Sequence, residues 1–289
     1  MAKQVTIYLF DVDWSNKTQT LSDTLNEFGG ISLDQRWRSE IRLDHIELSP
    51  ADSTGKLPER YHLNFTKRRD IGPGKLGDAM PISSIQLEHD EDFGEETAAL
   101  YVPSKKMLLV LHNQNGIGAT RMMSYLNALD PGSSRYFDYI ATVQLDATAA
   151  GKLNDMDQLK SIDVTVKVDA LQTSGDNVSM SLSQATKEAG AQKISLRMQA
   201  KGTRKLPKFL DLKMASEFIK SLQQRSDDVS VLRVKGRESN NDDSSDQVID
   251  LLKHKVKVSY RTTELEVVNH RYTEKSKRLL LDKALRQWI

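Results

Sequence analysis

The stretch that most constrains this chain is Leu100–Leu129, LYVPSKKMLLVLHNQNGIGATRMMSYLNAL. Its run Met107-Leu108-Leu109-Val110-Leu111 has no polar alternation, and a strand apolar at consecutive positions must be covered on both faces. The pattern predicts a strand over Lys106–His112, a polar glycine turn over Asn113–Thr120, and then a helix. In that helix Met122, Tyr125, Leu126 and Leu129 recur at i, i+3, i+4 and i+7, a single apolar stripe. This unit reads as the centre of an N-terminal lobe.

Other segments fall in place around it. Val5–Asp11 alternates as a strand, and Thr18–Phe28 forms a short amphipathic helix closed by Gly29-Gly30. Further strands are predicted over Ile41–Leu48, Tyr61–Arg68, Ile82–Leu87 and Glu95–Val102, the last two flanking an acidic loop. Beyond Asp130-Pro131-Gly132 come a strand (Tyr136–Leu145), a short helix (Leu153–Leu159) and a valine-alternating strand (Ile162–Val168). A helix (Ser179–Ala189), a strand (Lys193–Ala200) and a longer helix (Leu206–Arg225) follow. The strand-like segments Val229–Arg237 and Val248–Tyr260, with a helical turn as the alternative for Val248–Leu252, are joined by the polar loop Glu238–Gln247, and Tyr272–Trp288 is a terminal helix. Hairpin-like strands with scattered helices indicate an α+β fold: two-lobed, with mixed or antiparallel sheets and flanking helices. A boundary at Ala147–Lys152 divides it into an N-terminal α+β lobe, 1–150, and a basic C-terminal α+β lobe, 151–289.

A chain of 289 residues with 38% apolar content can bury a sizeable core. It has no run of 18 apolar residues that would span a membrane, and its first residues enter a strand without a signal-peptide pattern. With zero cysteines, disulfides, thiolate chemistry and cysteine zinc sites are excluded. A cytoplasmic protein is expected. The net charge of +1 hides an asymmetry: residues 1–190 hold 19 Lys and Arg against 27 Asp and Glu, residues 191–289 hold 22 against 13. Such a split points the basic part toward a nucleic acid or another acidic partner. Alternatively, the halves attract one another within the fold or across a dimer.

Several motifs touch on catalysis without completing it. Asp11-Val12-Asp13 after an apolar strand resembles the nucleophile-and-acid pair of haloacid-dehalogenase phosphatases, but Trp14-Ser15 follows where Gly-Thr is usual. Gly116-Ile117-Gly118 resembles an anion nest, yet Arg121 takes the place of a third glycine and no Gly-Lys-Ser/Thr occurs, so a tight turn is the better reading. The six histidines never pair at metal-ligand spacing, and Asp211-Leu212-Lys213 lacks the Pro-Asp of a metal nuclease. No catalytic residue, metal ligand or cofactor is assigned. An enzyme, a metal-dependent nuclease or a phosphatase using Asp11 and Asp13, is kept as the alternative, as is a protein-interaction module.

The basic runs carry more. Lys193, Arg197 and Lys201 share one strand face and lead into Arg204, Lys205 and Lys208. Lys253, Lys255 and Lys257 alternate with His254 and Val256, as one strand face presenting three ammoniums. Arg261, Lys275, Lys277 and Arg278 extend this group, and Lys67-Arg68-Arg69 contribute from the other lobe. Evenly spaced cations suit sequence-independent phosphate contact, which gains its affinity from released counterions, better than base reading.

The early strand, the Leu108–Leu129 unit with its run GIGATRMMSYL, the Tyr136–Leu145 strand and the Ile162–Val168 strand give an order of elements that resembles the RexA-like phage-exclusion proteins and related anti-phage defence proteins, the KwaB-like components of Kiwa systems among them. Phe65-Thr66-Lys67-Arg68-Arg69-Asp70 with Pro73 is similar to small prophage-borne proteins. The resemblance implies a two-lobed homodimer that binds double-stranded DNA without sequence specificity and acts in phage exclusion beside a membrane-protein partner. It implies no catalytic residue. The expectation is therefore a non-enzymatic DNA-binding protein of phage defence.

Overall fold

A computed structural model describes residues 3–14, 19–77, 80–128, 139–172, 177–201, 208–238 and 246–289. The chain is α+β and forms two units: Met1–Tyr8, Val12–Tyr139 and Val258–Ile289 make the first, Leu9–Asp11 and Ile140–Lys257 the second. The predicted boundary near 150 is corrected in two ways. The second unit begins at Ile140, and the last 32 residues return to the first unit rather than completing a C-terminal lobe.

From the N-terminus the elements are β1 (Gln4–Asp13), α1 (Leu21–Gly29), β2 (Ile41–Ser49), β3 (Arg60–Arg69), the small hairpin β4 (Lys75–Gly77) and β5 (Met80–Ser83), β6 (Phe93–Val102), β7 (Met107–Leu111) and α2 (Ala119–Asn127). Next come β8 (Ile140–Val143), α3 (Ala147–Asp155), β9 (Gln158–Lys167), α4 (Val168–Gln172), α5 (Asn177–Glu188), β10 (Lys193–Gln199), α6 (Leu212–Gln223), β11 (Val229–Arg237) and β12 (Gln247–Asp250). The chain closes with β13 (Lys257–Arg261), β14 (Val267–Val268), β15 (Arg271–Tyr272) and α7 (Glu274–Leu285).

The first unit is built on a sheet in the order β13-β1-β7-β6-β3-β2, with β2–β3, β3–β6 and β6–β7 antiparallel. Every residue of β7 is buried, as its unbroken apolar run requires. Residues of β3 alternate between two helical layers. Tyr61 and Phe65 face α1 and α2, where Tyr61 donates to Asn26 (3.1 Å) and Phe65 meets Tyr125 edge-on at 5.7 Å. Arg60 and His62 face Asp282 of α7 instead. Met122, Tyr125 and Leu126 form the predicted buried stripe of α2; Leu129 lies outside the described residues. The Gly116 turn is a tight connection. A Cβ there would sit 2.1 Å from Thr97 Oγ1, which accepts the Ile117 N–H at 3.0 Å.

In the second unit β10-β9-β11-β12 form an antiparallel sheet. Ile162, Val164 and Val166 of β9 and Leu232 and Val234 of β11 point to one face, packed with Phe218, Ile219 and Leu222 of α6. Capping explains two shifted boundaries. Asp146 accepts from Ala149 N (2.8 Å) and starts α3 before the predicted helix, while Asp211 accepts from Met214 N (2.8 Å) and starts α6 after it. The predicted strand Val248–Tyr260 is broken. Hydrogen bonds from Lys253 N to Asp250 O (3.0 Å) and from His254 N to Leu251 O (3.3 Å) turn the chain between β12 and β13.

Candidate nucleic-acid interface

In the first unit most predicted cations are engaged by carboxylates. Lys67 lies 3.6 Å from Glu40, Arg68 is 2.8 Å from Asp92, and Arg69 pairs with Glu95. The guanidiniums of Arg68 and Arg42 lie 4.7 and 4.6 Å from the Trp37 ring centroid, so this cluster is also held by cation–π contact. Arg278 pairs with Glu47 and with Glu274 (3.1 Å) and donates to His45. Lys277 is buried with its ammonium 2.7 Å from Glu96. Arg261 and Lys275 are exposed and carry no ion pair among the described residues.

In the second unit the lysine trio does not form a face. The turn after β12 places Lys253 beside Asp250 (3.8 Å) and breaks the assumed alternation. Lys255 is drawn in, donating to Ser226 O at 3.1 Å, and burial pushes its pKa down. Lys257 is exposed at the start of β13, and Lys253 is exposed in the turn, so the two exposed members lie on different elements. Period-two spacing misled here because the two leucines before Lys253 close a turn rather than continue a strand. Arg204 and Lys205 lie outside the described residues, while Lys201 and Lys208 are exposed on either side of them.

What the fold does assemble is the other face of the β10-β9-β11-β12 sheet. Along β10 every second residue is exposed: Lys193, Ser195, Arg197 and Gln199. Register sets these against β9, Lys193 opposite Lys167, Ser195 opposite Thr165 and Arg197 opposite Asp163. Arg233 of β11 lies opposite both Asp163 and Asp250. A row of alternating charge therefore crosses all four strands, with Arg197 3.2 Å from Asp163 and Arg233 3.2 Å from Asp250. At the margins Lys167 pairs with Asp228 (2.9 Å), and Lys235 shares Asp246 with Lys160 (3.3 and 2.5 Å). The Lys160 hydrogen bond, with Lys235 adding to it, holds the Asp246 carboxyl below its ordinary range. Sequence reasoning placed Lys193 and Arg197 here but missed Lys167, Arg233 and Lys235. Their signal was present in the alternation of the strands Ile162–Val168 and Val229–Arg237.

The residues weighed for catalysis each have local partners. Asp11 accepts from Gln144 Nε2 (2.5 Å); Asp13 lies 3.7 Å from Lys106 and accepts the Trp14 N–H (2.9 Å). Asp211 caps α6, and His254 pairs with Asp146 at 2.8 Å. Among the described residues no group of three or more His, Asp and Glu could hold a metal ion.

A family of unknown function, DUF6731, matches residues 11–279. The chain belongs to DUF6731. No curated protein matches it. The DUF6731 match runs through both units, the candidate sheet face included. No helix among the described residues of this DUF6731 chain is long and apolar enough to cross a membrane.

Proposed function

We propose that this chain is a non-enzymatic, cytoplasmic protein that binds double-stranded DNA without sequence preference through the open face of the β10-β9-β11-β12 sheet. The supporting observation is an uncovered sheet face with more cations than carboxylates: Lys167, Lys193, Arg197, Arg233 and Lys235 against Asp163, Asp228, Asp246 and Asp250. Exposed ion pairs of this kind contribute only about 0–1 kcal/mol each, so a phosphate can replace a carboxylate partner at little cost. The four strands themselves carry no aromatic on which single-stranded bases would stack, which supports a duplex; among the described neighbours Phe209 is engaged by Arg237 at the end of β11 (5.7 Å). Four strands about 4.8 Å apart span roughly 14 Å, wider than a groove of about 12 Å, so the face meets backbone rather than base edges. The resemblance to the RexA-like proteins supplies the setting of the proposal: a homodimer acting in phage exclusion, with a membrane-protein partner.

The test is a mobility shift with a mixed-sequence duplex across a salt series. Log affinity falls linearly with log salt, and each of Lys193→Gln, Arg197→Gln and Arg233→Gln lowers the slope by about 0.9. A slope untouched by the triple substitution defeats the assignment of this face.

A further inference from the structure

The first unit contains a cleft of about 720 Å³ that the DNA-binding reading does not use. It opens where β3 and β7 end and β6 begins, beside the β14–β15 hairpin and the first turns of α7. Its polar wall is organised by two neighbouring glutamates of β6. Glu95 accepts from Arg69 and from Asn113 Nδ2 (3.2 Å), and Glu96 accepts from Arg271 and Lys277. Asn113 also donates to the Glu96 carbonyl (2.7 Å), which fixes the end of β7 against β6. His112 adds an imidazole whose ring stands edge-on to Tyr8 at 5.6 Å.

Donors outnumber acceptors on this wall. A guanidinium carries five N–H groups and an ammonium three. Within the side-chain pairs described, Arg69, Arg271 and Lys277 each spend one nitrogen on a glutamate. The glutamates hold the cations in place but leave N–H groups for another acceptor. Lys277 is the strongest sign of a built site: a charged side chain 7% exposed, with one carboxylate partner, at the edge of an open cleft. A ligand complementary to such a wall is acceptor-only and anionic. The volume exceeds what a bare oxyanion needs and falls within the roughly 300–1,000 Å³ of small-molecule sites. Phe93, Pro73 and Tyr272 provide a less polar floor for the rest of the molecule.

We propose that this cleft binds a small organic phosphate of mononucleotide size, its phosphate received by Arg271, Lys277 and Arg69 and its body lying toward Phe93 and Tyr272. The site is separate from the sheet face of the second unit and does not depend on DNA binding.

Isothermal titration of the full chain with AMP, ADP, inorganic phosphate and citrate tests it. The expected result is saturable binding of AMP or ADP, with inorganic phosphate and citrate weaker. Arg271 is exposed, so Arg271→Gln folds normally, and loss of one charge-assisted hydrogen bond weakens nucleotide binding by about tenfold to a hundredfold. Arg69→Gln, on the neighbouring Glu95, is the second variant and weakens nucleotide binding to a similar extent. Absence of nucleotide binding, equal binding of inorganic phosphate, or nucleotide affinity unchanged in both arginine variants overturns the proposal. Duplex-DNA affinity stays at the wild-type level in Arg271→Gln, which keeps the two sites distinguishable.

Discussion

The charge pair that fixes α7 against β3 makes the most quantitative prediction. Arg60 meets Asp282 through two hydrogen bonds, Nε to Oδ1 at 2.6 Å and Nη2 to Oδ2 at 2.9 Å. Its remaining nitrogen donates to the carbonyls of Pro50 and Pro58, both at 3.2 Å. The side chains are 9% and 16% exposed, so neither charge recovers water if its partner is removed. Asp282→Ala leaves the guanidinium desolvated without its counter-charge, a cost of about 3–5 kcal/mol. In urea, with a slope of about 2–3 kcal/mol/M, the midpoint of the first unit's transition falls by roughly 1–2 M at unchanged slope. The control is the double variant Arg60→Met/Asp282→Leu. Removing both charges removes both desolvation penalties, and stability returns to within about 1 kcal/mol of wild type. Should Asp282→Ala cost under about 1 kcal/mol, the pair behaves as a surface ion pair and the reasoning is refuted.

Three further outcomes follow from neighbouring details. Burial outweighs the Asp282 charge and depresses the His62 pKa below its ordinary 6.5, with Arg60 and Arg278 acting in the same direction and Glu47 against it. The unfolded chain then binds the proton more readily, so stability is fully present above about pH 6.5 and is lost as pH falls through the lower folded value; His62→Gln should flatten that dependence in thermal melts. Gly116→Ala drives a methyl into Thr97 Oγ1 and should cost about 1–3 kcal/mol by denaturant titration, whereas the open position Gly151→Ala should cost nothing measurable. Lys255→Met should leave duplex binding unchanged in the mobility shift, because that ammonium is committed to the Ser226 carbonyl, while Lys193→Gln weakens it.

The elements were legible where one physical signal dominated. The unbroken apolar run of β7 and the valine alternation of β9 report burial on two faces and on one, and both strands lie where the pattern puts them. The starts of α3 and α6 were misread because apolar periodicity was followed while Asp146 and Asp211, each a capping residue, were not. The open sheet face was half legible, since Lys193 and Arg197 can be read from one strand. Which residues stand beside them depends on the long-range register of β9, β11 and β12, and no local spacing encodes it.

The same limit undid the argument from charge. Counted along the chain, the last 99 residues are strongly basic. Counted by the units that form, the second holds 19 Lys and Arg against 17 Asp and Glu and the first 22 against 23, because Val258–Ile289 takes its cations back to the acidic part. There Lys277, Arg271 and Arg278 neutralise Glu96 and Glu47, carboxylates that lie far upstream in sequence. The asymmetry therefore reports a first unit assembled from both ends of the chain. Any polyanion affinity must come from a local surplus, and the β10 side of the open face, with Lys193 and Arg197 at its edge, is where substitution should reveal it.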